Sequence, residues 1–144
     1  MAACVFCSIV AGETPASFVG RGEGWAAFLD TRPLFQGHVL VVPTEHRETL
    51  LDVNEAELAA VMGAAQRIAR AVVAALGSQG TFVAMNNKVS QSVPHLHVHV
   101  VPRTKGDGLR GFFWPRTRYA DGEAAEFAAR LREALAPAPG ALDG

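Results

Sequence analysis

Three of the five histidines stand at alternate positions, His95, His97 and His99, in the run Pro94-His95-Leu96-His97-Val98-His99-Val100. Side chains alternate faces along a strand, so the imidazoles would point one way at steps of roughly 6.5–7 Å, with Leu96, Val98 and Val100 on the other side. Imidazole titrates near neutrality, so one neutral ring can serve as a nucleophile while a neighbour holds its tautomer or carries the proton. Two chemistries are open to such a row: holding a catalytic metal, or covalent chemistry at phosphorus. The surroundings favour the second. No Asp or Glu lies between Leu58 and Asp107, which leaves few local carboxylates to complete a metal site. Ser90, Gln91 and Ser92 precede the histidines, and Arg103, Lys105 and Arg110 follow them; neutral donors and cations of this kind stabilise charge on a phosphoryl group. A second group, Cys4-Val5-Phe6-Cys7, reads as half a metal site or a redox pair.

The elements that must carry these residues can be read from the pattern. Residues 25–30 predict a short strand ended by Thr31-Arg32-Pro33, and residues 38–42 a second strand stopped by Pro43. Asn54 with Glu57 forms a capping-box start, after which Leu58, Val61, Met62, Ala65, Ile68, Val72 and Leu76 recur at helical spacing until Gly77. Residues 81–87 and 95–101 predict an antiparallel pair joined by the polar stretch 88–94. A last helix is expected from Asp121 to before Pro137, with Phe127 and Leu131 as its buried face. This order argues an α+β fold with an antiparallel sheet, a single domain over 1–135, and a disordered Pro/Ala/Gly tail over 136–144.

Apolar residues make up 49% of the chain and the net charge is −1, a balance that argues against a nucleic-acid coat or a membrane-surface binder. The first residues lack a basic region, and their apolar stretch is broken at Cys7-Ser8 and Gly12-Glu13, so neither a signal peptide nor a membrane span is expected. Two cysteines, three positions apart, are too few for a secreted disulfide framework. The expected location is cytoplasmic.

The run Gln91-Ser92-Val93-Pro94-His95-Leu96-His97-Val98-His99-Val100-Val101-Pro102-Arg103 resembles the signature of the histidine triad (HIT) family. The opening from Cys4 to Ala16 and the block Gly37-His38-Val39-Leu40-Val41-Val42-Pro43 resemble two further blocks of that family, in the right order. The resemblance implies a HIT-like fold: an antiparallel five-stranded sheet, one long helix and a C-terminal helix, usually as a homodimer paired through the helix and sheet. It implies a nucleotide phosphohydrolase that attacks the α-phosphate of a purine nucleotide, a dinucleoside polyphosphate or a nucleoside phosphoramidate, through a nucleotidyl-histidine intermediate. The alternatives are a transferase passing the nucleotidyl group to phosphate or a sugar phosphate, and a non-enzymatic nucleotide-binding module.

Carried over residue by residue, the resemblance makes His97 the nucleophile, His99 and His38 its orienting partners, and Ser92 and Gln91 contacts to the phosphates or leaving group. Asp30 matches the acidic residue for the ribose hydroxyls, and Phe6, Ile9 and Phe28 the apolar base slot. The loop Asn86-Asn87-Lys88-Val89-Ser90-Gln91 is shorter than usual and lacks glycine; of its two asparagines, Asn87 is the one expected to face the nucleotide. Cys4, Cys7, His46 and His95 match a Cys₂His₂ set for a structural zinc. No catalytic metal is expected. The segment Gly111-Phe112-Phe113-Trp114-Pro115-Arg116 would close over a second base or leaving group, or pack across a subunit interface.

Overall fold

The computed structural model describes residues 3–109 and 116–135, so the 136–144 tail and most of the 111–116 segment lie outside the described residues. Contacts divide the chain into two compact units, residues 1–107 and 108–144. In the first unit, strands β1 (Phe18–Gly22), β2 (Trp25–Leu29), β3 (Val39–Pro43), β4 (Gly80–Ala84) and β5 (Val98–Arg103) form one antiparallel sheet in the order β1-β2-β3-β5-β4. Helix α1 (Val5–Val10) precedes β1, and helix α2 (Glu55–Leu76) joins β3 to β4.

Helix α2 begins where its sequence says it should. The Asn54 side chain accepts from Glu57 N–H at 2.8 Å and the Glu57 carboxylate accepts from Asn54 N–H at 3.3 Å, satisfying two end donors reciprocally. Gly77, in the left-handed conformation at φ 68°, ends it. Its length and mean hydropathy of 1.4 would by composition suit a membrane span. Here its stripe of Val61, Ala64, Ala65, Ile68 and Val72 packs against Ala27, Val39, Val41, Val98 and Val100 of the sheet.

The opposite face of the sheet is buried too. Ala26, Phe28, Leu40 and Val42 pack there against Phe6 and Ile9 of α1. Two-sided burial explains the unbroken apolar run of β3, since both sets of alternating side chains meet a layer. His99 pairs with Leu40 in the ladder and therefore lies on the α1 face.

Four departures from the sequence reading have physical causes. Strand β1 was not anticipated: it is an edge strand with mostly exposed side chains, so it lacks the burial alternation that marks a strand. Its signal was the two-residue turn Glu23-Gly24, with Gly24 at φ +82° between the paired Gly22 and Trp25. Helix α1 was not anticipated either, its six residues being too few to show periodicity. The last strand begins at Val98 instead of His95, and the preceding one ends at Ala84 instead of Asn87. In the second unit, helix α3 (Glu123–Leu135) exposes Phe127 and Leu131, the residues expected to be its buried face; Phe127 meets Tyr119 and the Arg130 guanidinium instead.

Gly37, immediately before His38, adopts φ +93°, and a Cβ there would come within 2.4 Å of Leu76 Cδ1 and 3.3 Å of Pro102 Cγ. Leu76 Cδ1 ends an exposed side chain that can move aside, so the cost of Gly37→Ala is chiefly the disfavoured positive φ, expected to lower unfolding free energy by about 1–3 kcal/mol. Denaturant unfolding checks this; an unchanged midpoint would mean that the 30–38 loop tolerates another backbone conformation.

Candidate active site

The segment 95–97 enters the sheet from outside it. Leu96 is fully buried, and its N–H donates to Arg47 O at 2.7 Å. His95 and His97 are buried as well, although neither belongs to a strand. Alternation still carries His97 and His99 to one side, with ring centroids 5.0 Å apart.

The hydrogen bonds determine which nitrogen of each ring bears the proton. A carbonyl can only accept, so the 2.8 Å contact between His97 Nδ1 and His95 O places the proton on Nδ1 and leaves the Nε2 lone pair free. Leu34 N–H donates to His38 Nδ1 at 3.1 Å, which makes Nε2 the protonated nitrogen of neutral His38. That N–H donates to His99 Nδ1 at 2.9 Å, so neutral His99 carries its proton on Nε2. Asp30 lies next to this relay: Oδ2 is 3.7 Å from His38 Nε2, and Oδ1 accepts from Arg32 N–H at 2.8 Å. Burial pushes the His99 pKa down to about 4, helped by His97 and His38; burial also lowers that of His38, against the pull of Asp30.

A cavity of about 370 Å³ opens beside these rings. Phe6, Ile9, Phe28, Asp30, Ser92, His97 and His99 line it. Phe6 meets Phe28 and His97 edge-on at 5.4 and 5.1 Å, so one ring forms both the apolar wall and the packing of the nucleophile candidate. His38 sits behind His99, outside the lining. Pro15, Arg32, Leu40 and Val93 also line the cavity and were not singled out from sequence. Leu40 could have been, since a strand buried on both faces with Gly37-His38 at its start directs one set of its side chains to the histidine side.

Asn87 and Gln91 are not brought to the cavity. Asn87 Oδ1 accepts from Leu50 N–H at 2.7 Å, while Gln91 accepts from Lys88 N–H at 2.9 Å and donates to Glu48 O at 2.6 Å. Asn86 also turns inward on the loop, donating to Ser90 O at 3.2 Å. The loop has no glycine, yet Lys88 and Ser90 take positive φ of 68° and 61°, so its polar side chains are used to hold its own tight backbone.

A second cluster adjoins the first. Cys4, Cys7, His46 and His95 each offer a donor atom within 4.8 Å of all the others. His95 Nε2 donates to Pro43 O at 2.9 Å, so its Nδ1 lone pair faces the cluster. The Nδ1 atoms of His46 and His95 are 3.2 Å apart, and sulfur to nitrogen distances are 3.3 to 3.5 Å. Bonds of about 2.0–2.1 Å to nitrogen and 2.3 Å to sulfur give tetrahedral edges of about 3.3 Å (N to N) and 3.5 Å (N to S), so the donor set fits a tetrahedral, thiophilic divalent cation. Burial, with Cys4 next to it, raises the Cys7 thiol to about 11 in the absence of a cation. Helix α1 supplies the thiols: Cys4 is its N-cap, accepting from Cys7 N–H, and the two cysteines lie one turn apart.

Comparison with known proteins agrees with this architecture. An uncharacterized HIT-like protein of Mycobacterium tuberculosis is 43% identical over 108 residues, covering 74% of this chain and 75% of its own. An adenylylsulfatase of Arabidopsis thaliana is 35% identical over 74% of this chain and 55% of its own. An adenosine 5′-monophosphoramidase of Schizosaccharomyces pombe is 30% identical over 78% of this chain and 83% of its own. Among solved structures, a HIT family member from Bacillus subtilis superposes with a TM-score of 0.85 at 31% identity, covering 94% and 99% of the two chains. A zinc-bound histidine triad protein from Mycobacterium smegmatis gives 0.72 at 36% identity, covering 92% and 97%. The HIT domain profile matches residues 11–106, the span that holds the whole sheet and the histidine relay, and the chain belongs to the HIT domain family.

Proposed function

We propose that the protein is a nucleotide phosphohydrolase in which His97 Nε2 attacks the α-phosphorus of a purine nucleotide. The observation that carries this reading is the fixed tautomer: with Nδ1–H held by the His95 carbonyl, Nε2 is the free lone pair of a ring lining the cavity. In the first step the Nε2–P bond forms and the bond from phosphorus to the leaving group breaks, the electron pair going with the leaving group. Water then attacks phosphorus, Nε2 recovers its pair, and the water proton passes to solvent. The His99 Nε2–H and the Ser92 hydroxyl are the donors at this end of the cavity for charge on the phosphoryl oxygens or the leaving group. Asp30 takes the ribose hydroxyls, and Phe6, Ile9 and Phe28 the base.

Two relatives support attack at the α-phosphate: one is named for adenylyl sulfate and one for an adenosine monophosphoramidate, which share the adenosine 5′-phosphoryl part and differ in leaving group. The same reading places a structural zinc on Cys4, Cys7, His46 and His95, supported by the donor geometry and by the zinc-bound relative. When bound, that ion contributes folding energy and keeps both thiols ionised. Met62 and Val73 on α2 and Val83 on edge strand β4 are exposed; apolar residues left open on these two elements support a homodimer paired through α2 and β4.

His97→Ala is expected to reduce turnover of an adenosine phosphoramidate by at least roughly a thousandfold while nucleotide affinity stays within a few-fold. Retention of activity in that variant, or failure to trap an adenylylated His97 by mass spectrometry of rapidly quenched enzyme, would remove the covalent route. Sedimentation is expected to give a dimer, and Val73→Glu a monomer; a monomeric parent protein would exclude the proposed pairing.

The pH dependence follows from burial of the relay. In the folded protein His99 titrates at about 4, well under its usual 6.5, so below 6.5 the unfolded chain binds more protons than the folded one. The stability contributed by neutral His99 is therefore complete above pH 6.5 and is lost as pH falls toward 4. Melting temperatures measured from pH 7.5 to 4.5 are expected to decline less steeply for His99→Asn than for the parent; equal slopes would count against a buried neutral His99.

A further inference from the structure

We infer that the Cys4/Cys7/His46/His95 cluster positions the nucleophile, through the peptide group between His95 and Leu96. This rests on His97 being the nucleophile and goes beyond a stabilising role for the cluster. The carbonyl of that peptide accepts the His97 Nδ1 proton at 2.8 Å, and its N–H donates to Arg47 O at 2.7 Å. Each of those two contacts lies next to a cluster histidine. His95 carries the carbonyl, and Arg47 directly follows His46.

The reason such an anchor is needed lies in the strand boundary. Strand β5 pairs only from Val98 onward, so no ladder hydrogen bonds fix the direction of the His95 carbonyl. The remaining holds on the segment are few. His95 N–H donates to Val93 O at 2.8 Å, and the His95 ring is gripped at Nε2 by Pro43 O. Arg47 is itself tied to α2 by a 2.8 Å ion pair with Glu57. A cation joining His95 Nδ1 to His46 Nδ1 would connect the two chain segments that clamp this peptide, with Cys4 and Cys7 fastening both to α1. Without it, four donor atoms converge with only thiol and imidazole protons between them. The ring of His95 then loses its Nδ1 anchor and keeps the Nε2 bond to Pro43 O, so the carbonyl is held less firmly. His97 can in that state carry its proton on either nitrogen, and only the Nδ1–H form offers Nε2 to phosphorus. His95 is thus a positioning residue whose side chain binds the cation and whose carbonyl selects the reactive tautomer.

The test compares ¹⁵N-histidine-labelled full-length protein loaded with zinc, stripped by chelator and reloaded, with ring ¹⁵N shifts of His97 as the primary readout. Zinc-loaded protein is expected to show one protonated Nδ1 and one unprotonated Nε2, and folded stripped protein to show shifts averaged between the tautomers, with kcat lower on the order of tenfold and KM unchanged. Reloading restores both. If stripping unfolds the chain, cadmium replaces zinc, its longer bonds displacing His95 while keeping the fold, and a changed His97 Nδ1 shift supports the inference. Identical His97 shifts in folded stripped and loaded protein, identical shifts with cadmium and zinc, or failure to bind either metal would overturn it. Because the shifts need no substrate, a protein that turns over no nucleotide yet shows the metal-dependent tautomer would refute the proposed reaction and leave this coupling standing.

Discussion

A neutral imidazole offers a lone pair at a chosen nitrogen only when something holds the proton on the other, and in this protein a backbone carbonyl does so. The bond from His97 Nδ1 to His95 O lies between residues two apart, so it demands a particular backbone path through 95–97. A residue in the middle of a β-ladder commits its carbonyl to the neighbouring strand or to the sheet edge. The segment therefore stays out of the ladder, and its support comes from side chains, from Arg47 and from the cysteine–histidine cluster. Much else in the unit can be understood as supplying those supports.

The neutral state of the relay depends on the same burial. Taking imidazoles out of water disfavours the charged form, and two neighbouring rings add to the effect at His99. Asp30 opposes it from 3.7 Å, close enough to raise the proton affinity of His38 and too far for a direct bond. One carboxylate can thus line the cavity without converting the relay to imidazolium. The order of donors, Leu34 N–H to His38 and His38 to His99, sends the last N–H toward the cavity residues instead of the core.

The fold provides two dissimilar layers for one sheet. Helix α2, long and capped at both ends, covers one face with a continuous aliphatic stripe. The other face is covered only in part by the six residues of α1, and what α1 leaves open is the cavity. Phe6 and Cys4 illustrate the economy of this arrangement: two positions apart at the start of one short helix, one lines the cavity and the other belongs to the cysteine–histidine cluster. The two sites are therefore mechanically adjacent, sharing α1 on one side and the His95–His97 segment on the other.

The sequence alone specified the chemistry-bearing residues and the long elements. Alternation of His95, His97 and His99 with aliphatic residues, the Asn54–Glu57 box and the run from Val39 to Val42 are local patterns whose physical meaning does not depend on distant parts of the chain. Tertiary structure decided what local pattern cannot encode. Strand β1 is exposed and short, so its existence is recorded in its pairing with β2 and hardly in its composition. The roles of Asn87 and Gln91 turned on partners at Leu50 and Glu48, some forty positions away, which draw both side chains from the cavity into the loop. The proton positions on His38, His97 and His99 likewise depend on a carbonyl and an amide that face them only after folding. Spacing could bring the histidines to one side; only packing could decide which nitrogen of each ring was left free.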